Sequence, residues 1–254
     1  MESKSLITRT GNPGLNDKTF ASLARPADGS ERMTLQGTIN KSFLMLVVLL
    51  AAAFWPWSQF AGGNAAAVGA PVLVGAIAGL VLALIISFKQ TMAPYLALPY
   101  AACEGLVLGG ISVVLERKYP GVAIQAVAVS FGVMAAMLLA YTMRLIRVTQ
   151  RMRSIVIVGL GAIMVLYLVS SVMSYFFHVD TSSLFGSSPL SIGISLVIIG
   201  FAAFSLLLDF DLIESGVAQG APRYMEWYCA FALLVTLVWM YMEVLRLLSN
   251  LRQR

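Results

Sequence analysis

Residues 67–88 read AVGAPVLVGAIAGLVLALIISF, 22 positions without one charged side chain. As a helix rising about 1.5 Å per residue, such a segment is roughly 33 Å long. The hydrocarbon core of a bilayer is about 30 Å thick, so one segment of this kind crosses it. Working outward, further apolar windows occupy 42–60, 92–115, 121–142, 154–177, 190–213 and 225–248. These runs are too long and too continuously apolar for barrel strands, which alternate over about ten residues. The expected fold class is therefore all-α, a polytopic membrane helix bundle with seven transmembrane helices. Residues 42–254 form the membrane domain and 1–41 a polar N-terminal tail.

Composition agrees. Apolar residues make up 59% of the 254-residue chain and charged residues only 11%. Soluble domains carry about 45–50% apolar and about 25% charged residues. A mean hydropathy of +0.85 thus argues against a soluble enzyme. The net charge of +5 fits Lys and Arg in cytoplasmic loops better than nucleic-acid binding. Arg25, Arg32 and Lys41 precede the first span, and Arg144, Arg147, Arg151 and Arg153 cluster between the fourth and fifth. This places the N-terminus in the cytoplasm, and the early residues contain no apolar run that would make a signal peptide. Seven spans then put the basic end with Arg246, Arg252 and Arg254 outside. A six-span form with a re-entrant last segment is the alternative. Gly75–Gly79 and Gly105–Gly109 are GxxxG pairs, read as packing within one chain in preference to a dimer face.

Ionisable groups at membrane depth are costly and point to function. The acids concerned are Glu104, Asp209, Asp211, Glu214, Glu226 and Glu243. No Lys or Arg lies deep in a span to neutralise them, so the set suits a cation or a proton. With the sixth span ending at 213, Asp209 lies about 6 Å deep and Glu243 about 20 Å above it. Asp209, Asp211 and Glu226 can then cluster, with Glu104 as a relay. Residues two apart point about 200° from each other on a helix, so Asp209 and Asp211 cannot share one pocket. Ser205 shares a face with Asp209, which makes Asp209 the inward acid and leaves Asp211 at the mouth. The competing readings are an Asp209 that caps a neighbouring helix, a Glu104 hydrogen-bonded to a nearby Tyr or backbone group, and a Glu243 that merely pairs with Arg246. Asp209, Glu104, Glu226 and Asp211 are the candidate ion or proton pathway.

No catalytic or metal constellation accompanies them. His178 is the single histidine, beside Asp180 in a loop. Cys103 and Cys229 lie inside apolar runs. Gly-x-Ser-x-Gly, His-Glu-x-x-His, P-loop and Rossmann patterns are missing. An intramembrane aspartyl protease would want two acids at one depth on adjacent helices, and Asp209 has no such Asp partner. The expectation is a non-enzyme without cofactor.

Several segments carry a family resemblance: RTGNPGLNDKTF at 9–20, MTLQGTINK at 33–41, EGL at 104–106, LDFD at 208–211 and QGAPRYMEWY at 219–228. Together they resemble a bacterial branch of the Bax inhibitor-1/YccA-like membrane proteins. The resemblance implies a seven-helix fold with the last helix near the bundle centre, in the bacterial inner membrane. It implies a pH-sensitive calcium leak gated by two aspartates on the last two helices. Asp209 matches the first, Thr236 stands where the second would be, and Glu104 matches an early-helix glutamate. A second role implied by bacterial relatives is restraint of a membrane-bound protease, with the N-terminal tail as contact.

Overall fold

A computed structural model describes residues 32–178, 186 and 188–253. The expectations for residues 1–31 and for Asp180 lie outside the described residues. Among the described residues, seven helices are each long and apolar enough to cross a membrane. They are α1 Leu35–Ala61, α2 Gly69–Phe88, α3 Ala93–Lys118, α4 Val122–Thr142, α5 Gln150–Phe177, α6 Pro189–Ala218 and α7 Met225–Arg252. Short 3-10 turns at Ala65–Ala67 and Gln90–Met92 precede α2 and α3. The face on which α1 begins is called the tail face below.

Helix α7 occupies the centre, against α1, α3, α4 and α6. Its side chains are buried around its whole circumference, including Met225, Cys229, Met240, Val244 and Leu245. One cluster joins α1, α3 and α7 through Met45, Ala97, Tyr100 and Phe231. A second joins α4, α6 and α7 through Ala126, Leu206 and Met240. Helix α5 meets the bundle mainly through α6. Lipid tails are as apolar as Leu, so close packing and polar contacts hold such helices together, not the hydrophobic effect.

The glycine pairs work inside the chain. A Cβ on Gly105 would lie 2.2 Å from the Leu49 carbonyl oxygen, and one on Gly109 would lie 2.3 Å from that of Ala53. Only hydrogen at these positions lets α1 and α3 approach this closely. Gly75 stands likewise against the Cys103 carbonyl of α3.

Several helices outrun the apolar windows. α1 starts at Leu35 because Thr34 caps it, its side chain accepting from the Gly37 N–H at 3.0 Å. Before the cap, the Met33 N–H donates to the Ala221 carbonyl at 2.7 Å, so residues from 32 onward already belong to the bundle. α6 continues to Ala218, and Gly220, at φ +67°, makes the left-handed turn after it. α7 also runs through to Arg252, whose guanidinium donates to the Pro120 carbonyl on the face opposite the tail. It therefore crosses completely, which replaces the six-span alternative.

Gly105→Ala should destabilise the bundle by about 1–3 kcal/mol, the usual cost of forcing atoms into a packed contact. Gly132→Ala, whose Cβ meets nothing within 4 Å, should leave stability unchanged or slightly raised. Thermal unfolding of the detergent-solubilised protein reads both.

Candidate functional site

The extended α6 changes the depth of its acids. Asp209 is nine residues from Ala218, or about 14 Å along the axis, twice the depth expected with an end at 213. Its carboxyl lies beside the hydroxyl of Thr236 on α7. Its Oδ2 is buried and makes no hydrogen bond within the protein. Buried polar atoms almost always find a partner, so a carboxyl oxygen without one requires an explanation.

Asp209 belongs to the wall of a cavity of about 690 Å³ between α5, α6 and α7, closed on one side by Ala83 and Ser87 of α2. Ser205, Thr236 and Tyr228 supply further polar groups beside Asp209, and Phe231, Val235 and Trp239 supply apolar surface. Arg153 and Ser215 line the tail-face end. The space is large enough for several water molecules. Thr236, where the resemblance puts a second aspartate, is thus across from Asp209 but brings a neutral hydroxyl.

The remaining acids do not gather around Asp209. Asp211 turns away and accepts from the Arg153 guanidinium at 2.6 Å, which ties α5 to α6. Glu214 accepts from the Tyr141 hydroxyl of α4. Glu104 is engaged by the Tyr100 hydroxyl one turn back on α3 and packs against α2, its Oε1 3.2 Å from where a Cβ on Gly79 would be. Glu104 is not part of the Asp209 cavity wall.

A family profile described as Bax inhibitor 1 like matches residues 12–253. The chain belongs to that family. Neither a curated protein nor a solved structure matches it.

In this Bax inhibitor 1-like bundle, Glu226 has a partner that its sequence neighbours do not reveal. It is 3% exposed and pairs with the Lys41 ammonium of α1. The Thr34 N–H and hydroxyl donate to its Oε1 at 2.8 and 2.9 Å. Gly37 makes room, since a Cβ there would fall within 2.5 Å of all three carboxylate atoms. Glu226 is therefore a latch between the start of α1 and the start of α7, outside the Asp209 cavity. Clustering of Asp209, Asp211 and Glu226 is corrected accordingly.

Glu243 is 2% exposed and accepts from the Tyr167 hydroxyl of α5, with the Arg246 guanidinium 3.3 Å away. It lies seven residues beyond Thr236 on the same helix, about 10 Å and two turns, so it is closer to the Asp209 level than expected. The expectation of acids without bases also needs revision. Lys41, Arg153 and Arg246 stand near helix ends, and their long side chains extend to an acid on another turn or another helix. Among the described residues no group of three or more His, Cys, Asp or Glu is placed to hold a metal ion.

The two kinds of ion pair should respond differently to removal of one partner. Lys41→Met leaves the Glu226 charge buried without its cation, a change that typically costs about 3–5 kcal/mol. Asp211→Asn breaks a pair whose partners are 25% and 27% exposed, for which about 1 kcal/mol or less is expected. A large drop in unfolding temperature for Lys41→Met and a small one for Asp211→Asn is the expected pattern.

Proposed function

We propose that the cavity between α5, α6 and α7 is a pathway for a cation, calcium or a proton, with Asp209 as the group that binds and releases it. The observation that carries this reading is Asp209 in the wall of a cavity at about 14 Å depth, with one of its carboxyl oxygens buried and without a protein partner. A carboxylate and a ring of hydroxyls are oxygen ligands of the kind hard cations take. Calcium prefers six to eight such ligands, and one carboxylate with neutral hydroxyls makes a transient stop, not a storage site. The protein thus acts as a slow leak without an enzymatic step or a resident cofactor. Protonation of Asp209 removes the negative charge from the cavity, which makes passage depend on pH. In this reading the tail face is cytoplasmic, the membrane is the bacterial inner membrane, and nucleic acid is not a partner.

A second reading is favoured by the latch. Residues 33 and 34 are hydrogen-bonded to Ala221 and Glu226, so whatever binds the preceding tail is coupled directly to the start of α7. A membrane-bound quality-control protease held through residues 1–30 would use this arrangement, without conduction. Deleting residues 1–30 and crosslinking in membranes tests it: loss of a crosslinked protease supports this role, and an unchanged set of partners opposes it.

Reconstitution into vesicles with a calcium-sensitive dye tests the pathway. The wild-type protein should pass calcium in a pH-dependent manner. Asp209→Asn should lower the flux by about tenfold or more, equivalent to at least 1.4 kcal/mol at the barrier, and should abolish its pH dependence. Thr236→Asp, which places a second carboxylate opposite the first, should raise calcium flux above the wild-type level. Flux and pH response unchanged in Asp209→Asn would refute the pathway.

A further inference from the structure

The Asp209 cavity extends to Tyr167, and a second, more polar cleft begins on the other side of the same residue. That cleft is lined by Tyr167, Ser170, Ser171, Ser174, His178 and Arg246. Arg153, Leu160 and Tyr167 line the first cavity, and Tyr167 and Ser174 line the second. These positions recur every seven residues, so they lie on nearly one face of α5. From Arg153 to Ser174 this face covers about 32 Å, the thickness of the hydrocarbon core. On α7, Thr236 and Glu243 repeat the same seven-residue step.

At the junction, the Tyr167 side chain crosses from α5 to α7. Its hydroxyl donates to Glu243 and accepts from an Arg246 N–H at 2.7 Å. The Arg246 guanidinium also stands 5.3 Å from the centre of the Tyr167 ring. Helix α5 otherwise rests mainly on α6, so this phenol bridges a gap that the backbone leaves open.

We propose that Tyr167, clamped by Glu243 and Arg246, is the gate separating the Asp209 cavity from the Ser174 cleft. The inference rests on the pathway reading above and assigns to it a barrier and a second compartment. Rotation of one side chain away from α7 joins the two spaces. Glu243 is then the next carboxylate that a cation meets after Asp209, two turns further along α7. Arg246 neutralises that carboxylate while the gate is shut.

Thiol accessibility tests the gate without relying on conduction. In a background with Cys103→Ala and Cys229→Ala, a single probe is placed at Ser174→Cys in the cleft or at Ser205→Cys beside Asp209. A membrane-impermeant cationic methanethiosulfonate is applied to reconstituted vesicles from the cleft side. Ser174→Cys should react, and Ser205→Cys should not. Adding Tyr167→Ala should raise the Ser205→Cys rate by about tenfold or more. Tyr167→Phe, which keeps the ring and loses both hydrogen bonds, should give an intermediate rate and serves if the alanine variant does not fold. Glu243→Gln should also loosen the clamp. A Ser205→Cys that reacts already with Tyr167 present, or that stays unreactive in both Tyr167 variants while Ser174→Cys reacts, overturns the gate. Because labelling needs no ion flux, opening by Tyr167→Ala together with an Asp209→Asn flux equal to wild type would refute the cation pathway and leave the barrier standing.

Discussion

Inside a bilayer no water is at hand to solvate a carboxylate, so each acid in a span must be answered from within the protein. Most of this architecture follows from how those answers are arranged. Glu226 is answered by Thr34 and Lys41, which joins α1 to α7. Asp211 draws in Arg153 and fastens α5 to α6. Glu214 takes the Tyr141 hydroxyl and ties α4 to α6. Glu243 takes Tyr167 and joins α5 to α7. Apolar packing and glycine contacts bring the helices together, and these polar ties select their rotation and height. Asp209 breaks the pattern, since one of its oxygens has no partner. Among the described residues the buried side-chain oxygens without a partner belong to Ser42, Ser130, Asp209 and Tyr224, and of these only Asp209 carries a carboxyl group.

The fold was readable in the sequence because its signal is local. Seven apolar windows, each long enough to cross, need no knowledge of distant residues. Helix ends were less legible. Asp211, Glu214 and Ser215 look like a span terminus by hydropathy, yet α6 continues through them because Arg153 and Tyr141 satisfy the acids. The 200° separation of Asp209 and Asp211 was likewise accessible from helix geometry alone, and the two do face different partners. Partners remote in the chain were not accessible. Lys41 and Glu226 are 185 positions apart, and no periodicity in either helix connects them. Gly37 was a faint clue, a residue without a side chain in the first turn of an otherwise bulky helix.

The family's pair of aspartates, implied by resemblance, becomes here one aspartate facing one threonine. The exchange keeps a hydrogen-bonding group at the position while removing a charge. A cavity with one carboxylate binds a divalent ion less strongly than one with two, and it changes charge by a single proton. In the proposed pathway, electrostatic control would therefore rest on fewer groups, and the proposed closure at Tyr167 would carry more of the work of keeping the membrane sealed.

The latch at Glu226 has a consequence for biogenesis. A chain inserted from its amino end places α1 in the membrane long before α7 has been made. Lys41, Thr34 and the hollow beside Gly37 then meet their carboxylate only when a residue 185 positions after Lys41 has been made. The bundle thus closes like a clasp whose two halves leave the ribosome 185 positions apart. Such distant pairing is a slow element of assembly, and until it forms the nascent helices offer open polar surface to chaperones and proteases of the membrane.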